Sequence, residues 1–168
     1  MSDQTFLLTG QKIAKNSVRI NLIGDLDELS AILQISLCQY QQKNKAQKII
    51  KILQKNIKNL TKISSLLAQK NDLPNENILL DTIKEINNLK NKLPKIKKFL
   101  TFEFSLSAVF LNLARTVCRR CERTCWKLQK PPQNIAAFLN KFSFLLWCLA
   151  SFDVMIFNFQ GNVLQKKS

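Results

Sequence analysis

Apolar residues recur at three- and four-residue steps through most of this 168-residue chain, the pattern of helices that bury one side. Between Lys45 and Lys70 the series is Ile49, Ile50, Leu53, Ile57, Leu60, Ile63 and Leu67, with lysine and asparagine in the gaps. The same period predicts a helix over Asp25 to Gln42, with Asp25 and Asp27 near its start and Leu26, Leu29, Ile32, Leu33 and Leu37 behind. The cluster Asn71 to Asn75 reads as a turn, and Asn75 to Leu93 as a third helix ended before Pro94. Phe104 to Lys130 is a fourth, closed by Pro131-Pro132, and Gln133 to about Ile156 a fifth, the most apolar. Met1 to Ile23 is not periodic and holds Gly10, with Gly24 just beyond, so it reads as a loop or lead-in segment. Short connections between five helices predict an all-α fold, a five-helix antiparallel bundle. Its length suits one domain, residues 1–168, with the bundle in 24–160.

Composition sharpens this picture in two places. Three glycines and four prolines are too few for an all-β protein with many tight turns. Phe142 to Phe159 is long and apolar enough to cross a bilayer, yet it carries Asp153. A helix buried centrally in a bundle has the same all-round apolar character, and we expect that rather than a membrane span. The net charge of +15 is compatible with nucleic acid, an acidic membrane or an anionic substrate. Its lysines, however, alternate with apolar residues along the whole middle of the chain, as A/T-rich coding would supply them.

The candidate chemistry is narrow. No histidine is present, which removes the usual general base and the Ser/His and Cys/His nucleophile pairs. Five cysteines without a signal peptide point to a reducing compartment, the cytoplasm. Cys118 and Cys121 form a C-x-x-C pair, but no second pair and no histidine accompany it, so we expect helix packing and no metal site. The stretch from Ala114 to Arg123 holds four arginines and one glutamate. On a helix Arg115, Arg119, Glu122 and Arg123 share one face, with Trp126 a turn further on. Val117, Cys118, Cys121, Cys125 and Leu128 fall opposite, and Arg120 lies apart from the stripe. Such a face suits a partly enclosed phosphate site, with Glu122 holding an arginine in one orientation. A solvated charged face with incidental ion pairs is the alternative.

Three blocks carry a family resemblance. The first is Thr5-Phe6-Leu7-Leu8-Thr9-Gly10-Gln11-Lys12-Ile13-Ala14-Lys15, running on to Gly24-Asp25-Leu26-Asp27-Glu28-Leu29. The second is Ala114 to Arg123, similar to A-R-T-V-C-R-R-A-E-R, and the third Leu139 to Leu146, similar to L-N-R-L-S-D-L-L. Together the chain resembles the ATP:cob(I)alamin (corrinoid) adenosyltransferases of the propanediol-utilisation type. The resemblance implies a cobalamin adenosyltransferase-like bundle that forms a homotrimer with active sites between subunits. It implies transfer of the 5′-deoxyadenosyl group of ATP, taken with Mg2+, to the cobalt of a reduced corrinoid, either cob(I)alamin or cob(I)yrinic acid a,c-diamide, with release of triphosphate. Thr5, Lys15, Arg119, Glu122 and Asn140 would contact ATP. Arg115 would pair with Asp27 across the subunit boundary, making Arg119, Arg115 and Asp27 the catalytic set. Phe99 would shield the lower face of the corrinoid. A corrinoid reductase or an acceptor enzyme is the further partner implied; nucleic acid and membrane are not.

The chain departs from the family pattern at named positions. Only Met1 to Gln4 precede Thr5, where the family carries a phosphate-wrapping T-x-T-G-D-x-G-x-T loop, so weak ATP affinity is expected. Phe102-Glu103-Phe104 replaces P-G-G, Lys141 replaces an arginine, Phe144 an aspartate and Ser151 an arginine. The competing readings are a catalytically weakened homologue that only binds or delivers corrinoid, and a basic helical nucleic-acid-binding module.

Overall fold

The computed structural model describes residues 3–42, 47–69, 77–91 and 105–165. The expected Asn71 to Asn75 turn, Phe99 and the Phe102-Glu103-Phe104 substitution lie outside these residues. The lead-in segment is a β-hairpin rather than a loop. Strand β1 (Gln4–Phe6) pairs antiparallel with β2 (Lys12–Ala14), Thr5 opposite Ile13. Its turn is closed by the Gly10 amide on the Leu7 carbonyl and the Leu7 amide on the Gln11 carbonyl, each 2.9 Å. Gly10 has φ 77°, in the left-handed region that glycine enters without steric cost. Strands of three residues are too short for an alternation to register in the sequence.

Helix α1 (Val18–Gln42) starts at Val18, not Asp25. The Ser17 hydroxyl accepts the Ile20 amide at 3.3 Å, as an N-cap does. Leu22, Leu26, Leu29 and Leu33 are all fully buried, so the apolar stripe runs back through Gly24. Gly24 faces open space, where a Cβ would meet nothing within 4 Å, and the helix passes it without interruption. Four more helices follow: α2 (Gln47–Gln69), α3 (Asn77–Lys90), α4 (Leu106–Trp126) and α5 (Gln133–Gln165). The last runs beyond the expected Ile156. On α2 the lysines at 48, 51, 55, 58 and 62 all face solvent, and Lys55 reaches Asp81 on α3 at 2.8 Å.

Helix α4 lies between α1 and α5, with α2 packed on α1 and α3 on α5. The neighbours run antiparallel: Asp25 meets Arg120 while Ser36 meets Ser107, and Asn140 meets Glu122 while Asp153 meets Ser107. The core between α4 and α5 joins Val117, Cys118 and Cys121 to Ile135, Leu139 and Phe142, which stacks on Phe138 at 5.4 Å. Within α5 the span Gln133–Met155 is long and apolar enough to cross a membrane by length and composition, and 67% of it is buried in the bundle. It packs as a core helix. Its acid, Asp153, accepts the Ser107 hydroxyl at 2.9 Å and the hydroxyl of Ser105, the N-cap of α4. The carboxylate thus meets the positive end of the α4 dipole, which explains an acidic residue in so apolar a helix.

Candidate functional site

The arginine face of α4 and the Asn140 turn of α5 form one polar constellation. Arg119 donates to Glu122 Oε2 at 2.5 Å, one helical turn away on α4. Asn140 Nδ2 donates to Glu122 Oε1 at 2.9 Å from α5. Both carboxylate oxygens are therefore occupied, and the glutamate is buried. The Arg119 side chain stays 45% exposed, so part of its guanidinium fork is presented outward with its orientation held from behind. One turn earlier, Arg115 Nε donates to Asn112 Oδ1 at 2.9 Å. Ser143 donates to the Asn140 carbonyl at 2.8 Å, tying the α5 side of the site to its own backbone.

These residues border an open groove of about 460 Å³ lined by Arg115, Arg119, Asn140, Lys141, Phe144 and Trp147. Three cations line it with no carboxylate among the lining residues, and Glu122 behind them is already saturated, which favours an anion. The volume lies within the range usual for small-molecule sites, roughly 300–1,000 Å³. Chemically such a lining suits an anionic ligand.

The consecutive arginines separate. Arg120 turns away from the groove, donating through Nε to Asp25 Oδ1 at 3.0 Å and through its terminal nitrogen to Glu28 on α1. Thr124 donates to the other Asp25 oxygen at 2.9 Å. Sequence reasoning set Arg120 apart but gave it no task. The signal was the three-residue step from Asp25 to Glu28 and the four-residue step from Arg120 to Thr124, each of which keeps its pair on one helix face. The C-x-x-C thiols lie on the buried face, where Cys118 donates to the Leu139 carbonyl at 3.3 Å. Burial pushes the Cys118 thiol well up and that of Cys121 to about 12, which keeps both protonated. Among the described residues no three His, Cys, Asp or Glu side chains gather as a metal site.

Of the residues expected at the site, the structure brings Arg115, Arg119, Glu122 and Asn140 together. Thr5 and Lys15 stand on the hairpin, and neither they nor the exposed Asp27 line the groove within one chain. The in-chain partner of Arg115 is Asn112, and Asp27 has no partner among the described residues. Arg123 and Trp126 are exposed and lie outside the groove, although their spacing put them on the same face. Phe99 lies outside the described residues. Trp147 was missed, although it follows Asn140 by two turns of one helix face.

A family model for cobalamin adenosyltransferase matches residues 2–152. The corrinoid adenosyltransferase PduO of Citrobacter freundii is 28% identical over 173 residues, covering 96% of this chain and 50% of that protein. The PduO of Salmonella typhimurium is 28% identical over 156 residues, covering 87% of this chain and 45% of the relative. The chain thus spans about half the length of the curated relatives it matches. Among solved structures, a variant PduO-type ATP:corrinoid adenosyltransferase from Lactobacillus reuteri complexed with cobalamin and ATP superposes with a TM-score of 0.78 at 22% identity, over 90% of this chain and 86% of that one. Another variant of that protein, complexed with ATP, gives 0.76 at 22% identity over 90% and 89%.

Proposed function

The chain belongs to the cobalamin adenosyltransferase family, and from that premise we propose that it transfers the 5′-deoxyadenosyl group of ATP to a reduced corrinoid. The observation that carries this reading is the triad of Arg119, Glu122 and Asn140, joined across α4 and α5 at the cationic groove. In the reaction the cobalt electron pair attacks C5′, a cobalt–carbon bond forms, and the C5′–oxygen bond breaks with its electrons leaving on triphosphate. Cobalt in that state is itself a strong nucleophile, so a chain without histidine lacks nothing the step requires. The protein's tasks are to align C5′ with cobalt and to stabilise the leaving charge. Arg119, oriented by Glu122, takes the triphosphate; Asn140, held by the same carboxylate, takes the nucleotide side of the groove; Arg115 and Lys141 add positive charge. Mg2+ is read as arriving on the nucleotide phosphates.

Thr5 and Lys15 on the hairpin, and Asp27 on α1, enter this reading from a neighbouring subunit of a homotrimer. Arg120 already engages Asp25 and Glu28, which leaves Asp27 as the acid of its block available to Arg115 of another copy. Phe99, in the segment before α4, is assigned to the corrinoid by resemblance alone. A cytoplasmic location, where a corrinoid can be kept reduced by a partner reductase, suits five unpaired cysteines. The test is anaerobic incubation of the purified chain with ATP and chemically reduced cobalamin. We expect the adenosylcobalamin absorption spectrum with an equimolar release of triphosphate; corrinoid binding without product would support the non-catalytic carrier instead.

A further inference from the structure

At Phe144 the groove departs from the family pattern, which has an aspartate there. Phe144 and Trp147, three residues apart on α5, stack with centroids 5.6 Å apart and planes 15° from parallel. Trp147 is packed against the core, so the pair is anchored from behind. Phe144 remains 41% exposed, its outer side open beside Arg115 and Lys141. Single exposed aromatics are ordinary on a surface. This one sits in a concave site, stacked on a second ring and beside two cations, where the resemblance predicts an aspartate. From Asn140, which shares Glu122 with Arg119, to Phe144 the helix advances about 6 Å, so the charged end and the aromatic end of the groove lie within one ligand's length.

We propose that the Phe144–Trp147 stack is a second recognition element of this groove, a shelf for a flat, weakly polar ring carried by one of the two substrates. This rests on the reading that the groove is the substrate site. A planar conjugated ring laid on an anchored aromatic pair gains offset stacking, and its charged part reaches the arginines without leaving the groove. The ring is supplied by the purine of ATP or by the rim of the corrin macrocycle; the chemistry is shared, and the two sources separate in binding.

Calorimetric titration of the wild type and of Phe144→Ala with ATP, with inorganic tripolyphosphate and with cob(II)alamin in saturating ATP makes that separation. Tripolyphosphate has no ring, so its affinity should not change. The ring-bearing ligand should weaken about tenfold, within what one base–aromatic stack contributes. Loss confined to ATP assigns the shelf to the purine; loss confined to cob(II)alamin assigns it to the corrin. Equal loss for all three ligands, or for none, overturns the proposal. A wild type that binds none of them overturns the substrate-site reading as well, and with it the shelf. The chain has two tryptophans, and Trp126 lies outside the groove, so Trp126→Phe leaves Trp147 as the sole tryptophan, excited apart from Tyr40 at the red edge of the absorption band. Its emission should shift with ATP or cob(II)alamin and not with tripolyphosphate; an equal response to tripolyphosphate counts against the shelf. If Phe144→Ala fails to fold, Phe144→Leu, which keeps apolar volume but no flat face, is titrated in its place.

Discussion

Glu122 is the residue on which the polar site turns, because it is the buried charge from which two flanking side chains take their orientation. A buried carboxylate is tolerated only when its oxygens are satisfied, and here one is taken by Arg119 and the other by Asn140. Arg119 faces outward, so its loss should remove function and leave the fold. We expect Arg119→Ala to lower adenosyl transfer by about a hundredfold or more, as deletion of a charge-stabilising donor does elsewhere. Circular dichroism should keep its helical shape, while urea unfolding should show a cost of about 1–3 kcal/mol for the Glu122 oxygen left without its donor. An unaltered rate in a folded variant would remove Arg119 from the reaction. Arg119→Lys should recover only part of the rate, since an ammonium keeps the charge without the planar fork.

At the scale of elements, α4 is held by a different set of contacts on each flank. Toward α5 it is mainly apolar, with the Glu122–Asn140 bridge and the Asp153 anchor at its N-terminus. Toward α1 it also has the latch of Arg120 and Thr124 on Asp25 and Glu28. Asp25 is the inner acid, with two donors on its two oxygens, whereas Glu28 is half exposed. Asp25→Ala should therefore destabilise by about 1–3 kcal/mol, having left a threonine and an arginine without their acceptor. Glu28→Ala should cost less than about 1 kcal/mol, the usual worth of an exposed pair. Urea unfolding of the two variants measures the difference, and equal costs would mean that the latch is superficial.

Two expectations belong to the whole molecule. The buried thiols couple its stability to alkaline pH. Burial raises Cys121 to about 12 and Cys125 and Cys148 to about 11, from an unfolded value of 9.0. Between those values the native state keeps protons that the unfolded chain has lost. The stabilisation is complete below about pH 9 and is lost as pH rises toward the folded values, with a limiting slope of about 1.4 kcal/mol per pH unit for each thiol. Melting temperatures recorded from about pH 7.5 to about pH 10.5 should fall, and Cys121→Ala should flatten the fall; a parallel curve would exclude that thiol as a cause. The second expectation is assembly. With Asp27 exposed and Arg115 bonded only to Asn112 among the described residues, light scattering should report a trimer at micromolar concentration. Asp27→Ala should weaken that trimer and the activity together, while a stable and active monomer would refute the shared site.

What the chain decides by itself is what periodicity and local spacing can encode. The stripe Ile49, Leu53, Leu60, Ile63 and Leu67 lies on the buried side of α2 because a helix repeats every 3.6 residues whatever it packs against. Residues Arg115, Arg119 and Glu122 were legible as one face for the same reason, and the three motif blocks were enough to name the family. Three features needed the folded molecule. The hairpin β1–β2 depends on pairing between strands of three residues, too short to carry a period. The start of α1 at Val18 depends on Leu22 finding a core, which overrides the weak helix preference of Gly24. The division of labour between Arg119 and Arg120, and the grouping of Phe144 and Trp147 with the cations, depend on which flank of α4 meets α1 and which meets α5. Helical spacing sets the angle between two side chains on one helix; only tertiary packing decides what each of them faces.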